Sequence, residues 1–354
     1  MTAADWLPAA WNGGWTYRDR VAQGEAGLSI SGFYAQRHRH SDAALWRQRL
    51  ADGEIARNGT IVRHEARLVA GDRLAWQRPP WLEPAVPAAW AVVHDDGDLL
   101  VLDKPSGLPV LPAGGWLEHT VLRLLERRHQ DDPAGIPRPV HRLGRFTSGL
   151  LVCARRPATR AWLSAALRES TAGDPAERLD SAGVPAAADP EPGGARSGQA
   201  GHAWPAVRKL YRALLVPGVL PLELGEVLTI STPIGRRPHP RLGWIWCAAR
   251  DSRPGDLQAL SRLTLLERHP DGELVQVAIA SGRPHQIRIH CAAVGAPLLG
   301  DPLYLPGGGA SPGALPGDGG YRLQAWRLEL QRPDGERLVL QVPAGLDEAG
   351  RPGF

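Results

Sequence analysis

Apolar residues recur along the N-terminal part of the chain with the spacing of short helices. Residues 30–34 place Ile, Phe and Tyr at i, i+3 and i+4, and a second apolar helical face follows over residues 44–50. Ser41 precedes the second face and is a candidate N-cap. Asn58-Gly59 then predicts a tight hairpin turn. The pattern therefore predicts two helices followed by a hairpin.

From Trp90 onward, short apolar and alternating runs replace this pattern. They predict strands at 99–102, 150–153 and 275–279, and amphipathic spacing predicts helices at 119–128 and 157–168. The last stretch alternates around a Pro-Asp-Gly turn at 333–335, which predicts a closing hairpin. The larger part of the chain is thus expected to mix strands with helices.

Composition suggests where the 354-residue chain divides. Four prolines within residues 79–89 predict a semi-rigid linker, and residues 171–205 have almost no large apolar side chains, which predicts a disordered insertion. The predicted parts are an N-terminal extension (1–27), a small module (28–78), the linker (79–89), a main domain (90–345) and a tail (346–354).

The overall balance of residues predicts a globular protein with a mildly basic charge. Apolar residues make up 43% and charged residues 22%, with a net charge of +4 and a sequence pI of about 9.2, which permits a nucleic-acid partner without requiring one. Cys153, Cys247 and Cys291 lie far apart, so we expect three reduced thiols in a cytoplasmic protein. Neither a membrane span nor a secretory signal is predicted.

The stretch HRLGRFTSGLLVC, residues 141–153, is the strongest candidate for a site. Turn-forming and charged residues come first, and a short apolar run follows, which is typical of a loop that leads into a buried strand. The loop carries two cations and two hydroxyl groups at the mouth of that strand. Loops held by a rigid scaffold in this way often carry binding or catalytic residues.

This loop resembles the signature HRLDxxTSGLL of the RluA-like RNA pseudouridine synthases. Further stretches match the family in the same order, namely KPSGLPV (104–110), KLYRA (209–213), GRPHQIRIH (282–290) and GDPLY (300–304). In the family the Asp of the signature is the catalytic carboxylate, whereas this chain has Gly144 at that position. The small module at 28–78 is similar to the S4-type RNA-binding module that often precedes the family's catalytic domain.

The resemblance implies an α+β pseudouridine synthase fold, with a mixed, mostly antiparallel central sheet flanked by helices and loops, plus a small S4-like α/β module. It implies isomerisation of uridine to pseudouridine in structured RNA, ribosomal or transfer, by a monomer without a cofactor. Tyr211 would stack on the target base, and Arg283 would pair with the carboxylate that Gly144 replaces. The residues expected to contact RNA are His141, Arg142, Arg145, Thr147, Lys104, Lys209, Gln286, Arg37 and Arg39. His285 and His290, at i and i+5, do not share a helix face, so no metal site is predicted.

Two functions from different classes stay open at this point. One is an active synthase in which another acid or base replaces the missing carboxylate, and the other is an RNA-binding protein or RNA chaperone that keeps the cleft without catalysis. A purely structural role is the third alternative. An acidic residue that reaches Arg283 would favour the synthase, whereas a solvated Arg283 that is free for an RNA phosphate would favour the binding protein.

Overall fold

The computed structural model describes residues 6–39, 41–169, 207–279 and 282–343. Two compact units divide the chain: a larger one, with residues 1–7, 86–237 and 246–354, and a smaller one, with residues 8–85 and 238–245. The predicted insertion and the predicted tail lie outside the described residues. None of the described helices has the length and apolar character that crossing a bilayer requires.

The described elements, numbered in chain order, are β1 (Trp6–Leu7), β2 (Ala10–Trp11), β3 (Trp15–Arg20), α1 (Ile30–Arg37), α2 (Ala43–Ala51), β4 (Ile55–Arg57), β5 (Thr60–Val62), β6 (Arg73–Arg78), β7 (Leu82–Glu83), β8 (Val86–Pro87), β9 (Ala91–Asp95), β10 (Leu99–Lys104), α3 (Val121–Arg128), β11 (Arg138–Pro139), β12 (Thr147–Ala154), α4 (Pro157–Glu169), β13 (Val207–Leu215), β14 (Val227–Ile230), β15 (Ile234–His239), β16 (Gly243–Ala248), β17 (Ser261–His269), β18 (Gly272–Ile279), α5 (Gln286–Ala293), β19 (Leu323–Gln331) and β20 (Arg337–Gln341).

The smaller unit contains a four-stranded antiparallel sheet, in the order β3-β6-β4-β5, together with α1 and α2. Phe33 and Tyr34 of α1 and Trp46 of α2 are fully buried in its core. Asn58 and Gly59 form the predicted turn between β4 and β5, with φ of 52° and 92°. Both predicted helices and the hairpin are therefore confirmed.

Two details of this unit differ from the sequence prediction. The N-cap of α2 is Asp42, whose carboxylate accepts a hydrogen bond from the Leu45 N–H at 2.8 Å, and Ser41 instead accepts one from Arg49. A carboxylate at the N-terminus also interacts favourably with the helix dipole. In addition, β3 lies before the predicted boundary at residue 28 and yet pairs with β6 along its full length.

The larger unit contains a mixed, mostly antiparallel sheet, which confirms the predicted α+β fold. Among the described residues it has ten strands, with the path β14-β17-β18-β13-β19-β12-β10-β9, and with β11 beside β12 and β20 beside β19. The predicted closing hairpin is β19 and β20, which pair antiparallel. Strands β10, β12 and β13 and helices α3 and α4 contribute buried side chains to one apolar core cluster.

A parallel pairing between β12 and β19 determines where the two strands begin. Thr147–Gly149 lies alongside Leu323–Ala325, so the segments that precede the two strands emerge at the same edge of the sheet. Gly149 has a φ of 95°, and a Cβ atom there would lie 2.3 Å from the Ala325 carbonyl oxygen. Only glycine permits both this backbone conformation and the close approach of the Ala325 carbonyl oxygen.

Candidate active site

A cleft of about 550 Å³ opens in the larger unit at the edge where β12 and β19 begin. Its walls come from the loop before β12, from β13, from the segment that leads into α5 and from the start of β19. Strand β13 lies beside β19, where Tyr211 is opposite Ala325, and β18 follows on its other side. Long-range strand pairing thus assembles segments that are more than 100 residues apart in sequence.

The three predicted catalytic positions, Gly144, Tyr211 and Arg283, all line this cleft. Tyr211 is half-buried, and burial raises the pKa of its hydroxyl to about 12, so the phenol is neutral near pH 7. Arg283 is half-buried, and its Nε donates a hydrogen bond to the Gln258 carbonyl oxygen at 3.0 Å. Within the described part of the chain no carboxylate forms an ion pair with Arg283, so the acidic partner that would favour the synthase is absent there. Because Arg283 is half-buried and hydrogen-bonded rather than fully solvated, the contacts of this residue do not select either function.

The space beside Gly144, where a side chain would lie, is filled by the hydroxyl of Tyr321. A Cβ atom at residue 144 would lie 2.2 Å from the Tyr321 Oη and 3.2 Å from the Thr147 Oγ1. The two hydroxyl oxygens are themselves 3.4 Å apart. Tyr321 lies after the last recognised motif, GDPLY at 300–304, and the residues around it gave no indication of a site. Residue 144 has a glycine here because the tyrosine hydroxyl takes the volume of its side chain.

Arg288 lies directly behind Tyr321 and was also missed by the sequence analysis. Its guanidinium carbon is 4.2 Å from the centroid of the Tyr321 ring, within the range of a cation–π contact. Its Nε and Nη2 donate hydrogen bonds to the two carboxylate oxygens of Asp301, at 2.7 and 2.8 Å. Both side chains of this pair are buried, so the guanidinium is held in place and its charge is balanced.

Two histidines of the cleft are held in their neutral form. The Val152 N–H donates to the Nε2 of His141 at 2.9 Å, so the proton of this ring is on Nδ1. The Tyr304 hydroxyl donates to the Trp246 carbonyl oxygen, so the Nδ1–H of His285 donates to the Tyr304 Oη at 2.7 Å. Burial lowers the pKa of both rings to about 3, which leaves them uncharged at neutral pH.

The charge of the cleft is positive. Arg142 is exposed on its wall, and Lys209 is half-buried beside it, where burial lowers the pKa of its ammonium group to about 8. Among the lining residues that the structure describes, none is Asp or Glu. The described residues also include no group of three or more His, Cys, Asp or Glu side chains positioned for a metal ion. The cleft can therefore attract a polyanion and place tyrosine hydroxyls beside it.

Three residues that were expected to contact RNA make hydrogen bonds or ring contacts within the protein. Lys104 is fully buried, and its Nζ donates to the carbonyl oxygens of Pro105, Leu108 and Arg145. Gln286 is buried and donates to the Leu260 carbonyl oxygen and the Ser261 hydroxyl, so it positions the start of α5. Neither side chain can reach a ligand without losing these bonds.

Arg145 is the third of these residues. It is half-buried, its guanidinium carbon lies 4.4 Å from the Trp116 ring centroid and 4.8 Å from that of Phe146, and its Nε donates to the Gly107 carbonyl oxygen. These contacts join the loop before β12 to the turn after β10. The remaining predicted contacts in this unit, namely His141, Arg142, Thr147 and Lys209, line the cleft, and so does Gln286.

The other two predicted RNA contacts, Arg37 and Arg39, belong to the smaller unit. Both are exposed, as expected. Arg37 forms ion pairs with Asp19 and Glu25, each at 2.9 Å, so part of its charge is already balanced. Among the described residues no carboxylate pairs with Arg39, whose Nε donates weakly to the Gln36 carbonyl oxygen at 3.4 Å.

Comparison with known proteins shows extensive similarity along the chain. A model of the family described as RNA pseudouridylate synthase matches residues 98–173. An uncharacterized RNA pseudouridine synthase of Synechocystis sp. is 38% identical over 319 residues, which cover 89% of this chain and 94% of the relative. RNA pseudouridine synthase 5 of Arabidopsis thaliana is 35% identical over 370 residues, covering 95% and 93% of the two chains. Among solved structures, human RNA pseudouridylate synthase domain containing 1 is 21% identical with a TM-score of 0.47, covering 72% of this chain and 83% of that one.

Proposed function

Because the chain belongs to the RNA pseudouridine synthases, a family of isomerases that act on RNA, we propose that its cleft converts uridine to pseudouridine. The observation that carries the proposal is the convergence of the family's motifs on that cleft. Gly144, Tyr211 and Arg283 come from three distant segments of the chain and line the same cleft. The reaction moves uracil from its N1 to its C5 attachment on the same ribose and needs no other reactant.

The cleft has the features that an extruded uridine requires. Taking a base out of its stack costs a few kcal/mol, and stacking on an aromatic ring returns about 1–3 kcal/mol per base. Tyr211 is the aromatic side chain we assign to this role, because it lies on the cleft wall and stays neutral. Arg142 and Lys209 also line the cleft, where they can meet the flanking phosphates.

We propose ribosomal RNA as the substrate, with transfer RNA as the other structured class to test. The support comes from a relative named ribosomal large subunit pseudouridine synthase D, from Neisseria meningitidis, which is 28% identical and covers 86% of this chain. An exposed, basic cleft is suited to a large folded RNA, because flanking segments can extend beyond it. A monomer in the cytoplasm fits the three buried free cysteines, which we expect to stay reduced.

The smaller unit is proposed to be an S4-like module that binds RNA. Its support is the order of elements, in which two short helices precede a hairpin, together with exposed Arg37 and Arg39 at the end of the first helix. The module would add affinity through phosphate contacts, which carry no sequence information of their own.

The proposed function is tested by incubating the purified protein with transcripts of large-subunit ribosomal RNA and with transfer RNA. Each RNA is then digested to nucleosides, and pseudouridine is quantified by mass spectrometry. We expect pseudouridine in the ribosomal transcript, a large loss of it with Tyr211→Ala, and much of it retained with Tyr211→Phe, which keeps the stacking ring. RNA that is bound by the wild type but never modified would contradict the proposal and support the RNA-binding alternative.

A further inference from the structure

The hydroxyl of Tyr321 occupies the place where the cleft would otherwise hold a side chain of residue 144. A Cβ atom there would lie 2.2 Å from the Tyr321 Oη but 3.6 Å from its Cζ, so the oxygen alone excludes a larger residue. Only 3% of the tyrosine surface is exposed, and this part lines the cleft.

The surroundings of Tyr321 hold the ring and place the cationic side of the Arg288–Asp301 ion pair against it. Phe146 packs edge-on against it, with ring centroids 5.8 Å apart, and the Arg288 guanidinium lies 4.2 Å from the ring centroid. A cation at this distance stabilises negative charge that develops on a phenol oxygen. Arg288 is itself held by Asp301, whose carboxylate is committed to this pair and does not line the cleft.

We propose that Tyr321 is the catalytic residue that acts in place of a carboxylate at position 144. The inference rests on the proposed function, since it assumes that uridine is the substrate. Tyrosine serves as a nucleophile toward sugar carbons in some glycoside hydrolases, so the chemistry has a precedent. Among the described atoms, the Tyr321 hydroxyl lies closer than any other hydroxyl to the volume that a side chain at residue 144 would fill. The Thr147 hydroxyl is next, at 3.2 Å from the Cβ position.

The proposed steps balance without a further reactant. As the bond from ribose C1′ to uracil N1 breaks, the Tyr321 Oη forms a bond to C1′ and its proton passes to N1. Uracil then rotates, C5 forms a bond to C1′ as the bond from Oη to C1′ breaks, and the proton released from C5 returns to Oη. The product is pseudouridine with N1 protonated, and the tyrosine is regenerated.

The test uses three variants of the full chain with an RNA that the wild type modifies. Tyr321→Phe keeps the ring and its packing, so RNA affinity should stay within about twofold. Its kcat should fall about 10⁴- to 10⁶-fold, because loss of a covalent nucleophile removes most of a rate enhancement. Gly144→Asp alone should be inactive, because its Cβ would lie 2.2 Å from the Tyr321 Oη. The third variant combines Tyr321→Phe with Gly144→Asp, so the tyrosine oxygen is absent and the aspartate has room. Its carboxylate should raise kcat at least about tenfold above that of Tyr321→Phe alone, a gain of about 1.4 kcal/mol.

Tyr34→Phe is the matched control, since it removes a buried hydroxyl that has no hydrogen-bond partner among the described residues of the smaller unit. It should keep wild-type kcat. Wild-type kcat in Tyr321→Phe would overturn the role of Tyr321 while leaving the proposed function intact. A wild type that forms no pseudouridine would instead overturn the proposed function, so the two failures are distinguishable.

Discussion

At the scale of single residues, the site depends on a complementary pair of positions rather than on one motif residue. Gly144 has no side chain, and Tyr321 places its hydroxyl in the resulting space. Hydrogen bonds position other side chains of the cleft, such as the one from the Val152 N–H to His141. Such bonds require particular protonation states, which makes the site sensitive to acid.

We expect His141 to make the protein less stable as the pH falls below about 6.5. The folded-state pKa is about 3, below the value of about 6.5 for an unfolded histidine. Between these values the unfolded chain binds a proton that the folded chain does not, so the free energy of unfolding decreases as pH falls, by up to about 2 kcal/mol at pH 5.

The measurement is urea unfolding at pH 7 and pH 5. His141→Gln retains an acceptor for the Val152 N–H but has no titrating group, so its free energy of unfolding should change less between the two pH values. An equal change in the wild type and the variant would show that His141 does not account for the acid sensitivity.

At the scale of elements, local patterns were sufficient for most helices and turns but not for the cleft. The Asn58-Gly59 turn and helix α3 follow from neighbouring residues alone, and so both were predicted. Tyr321 could not be found in this way, because the parallel pairing of β12 with β19 joins residues far apart in sequence. Arg288 could not be found because its role depends on its contact with the Tyr321 ring. Family resemblance supplied the remaining positions, and the structure shows that Lys104 and Gln286 are buried and hydrogen-bonded within the protein.

The β12–β19 pairing leads to a prediction for Gly149. Gly149→Ala combines a left-handed backbone with a Cβ atom 2.3 Å from the Ala325 carbonyl oxygen, so we expect a loss of about 3 kcal/mol or more in the free energy of unfolding. Gly97 is the matched control, since it also has positive φ, 87°, but no atom within 4 Å of its Cβ position. Gly97→Ala should cost about 1 kcal/mol. Equal losses in urea unfolding would mean that close approach of the two strands is unimportant.

At the scale of the whole molecule, we expect the two units to contribute differently to RNA recognition. The larger unit carries the cleft, and the smaller one carries Arg37 and Arg39. Phosphate contacts by the smaller unit would be seen as salt dependence of binding rather than as a change in the reaction itself.

Arg39→Gln is expected to weaken RNA binding and to reduce the slope of log K against log salt by about 0.7 for one contact to a single strand. Arg37→Gln should change the slope less, because Asp19 and Glu25 already balance that charge. Filter binding over a range of potassium chloride concentrations measures both slopes. An unchanged slope in the variant that combines Arg37→Gln with Arg39→Gln would show that these two arginines make no phosphate contacts.

The most direct test of the central claim, that this cleft forms pseudouridine in RNA, is to map pseudouridine in cellular RNA with and without the gene. We predict that deletion removes one or a few defined pseudouridines from ribosomal or transfer RNA. Complementation with the wild type should restore them, and complementation with Tyr211→Ala should not. An identical pseudouridine map in the deletion strain and its parent would contradict the claim.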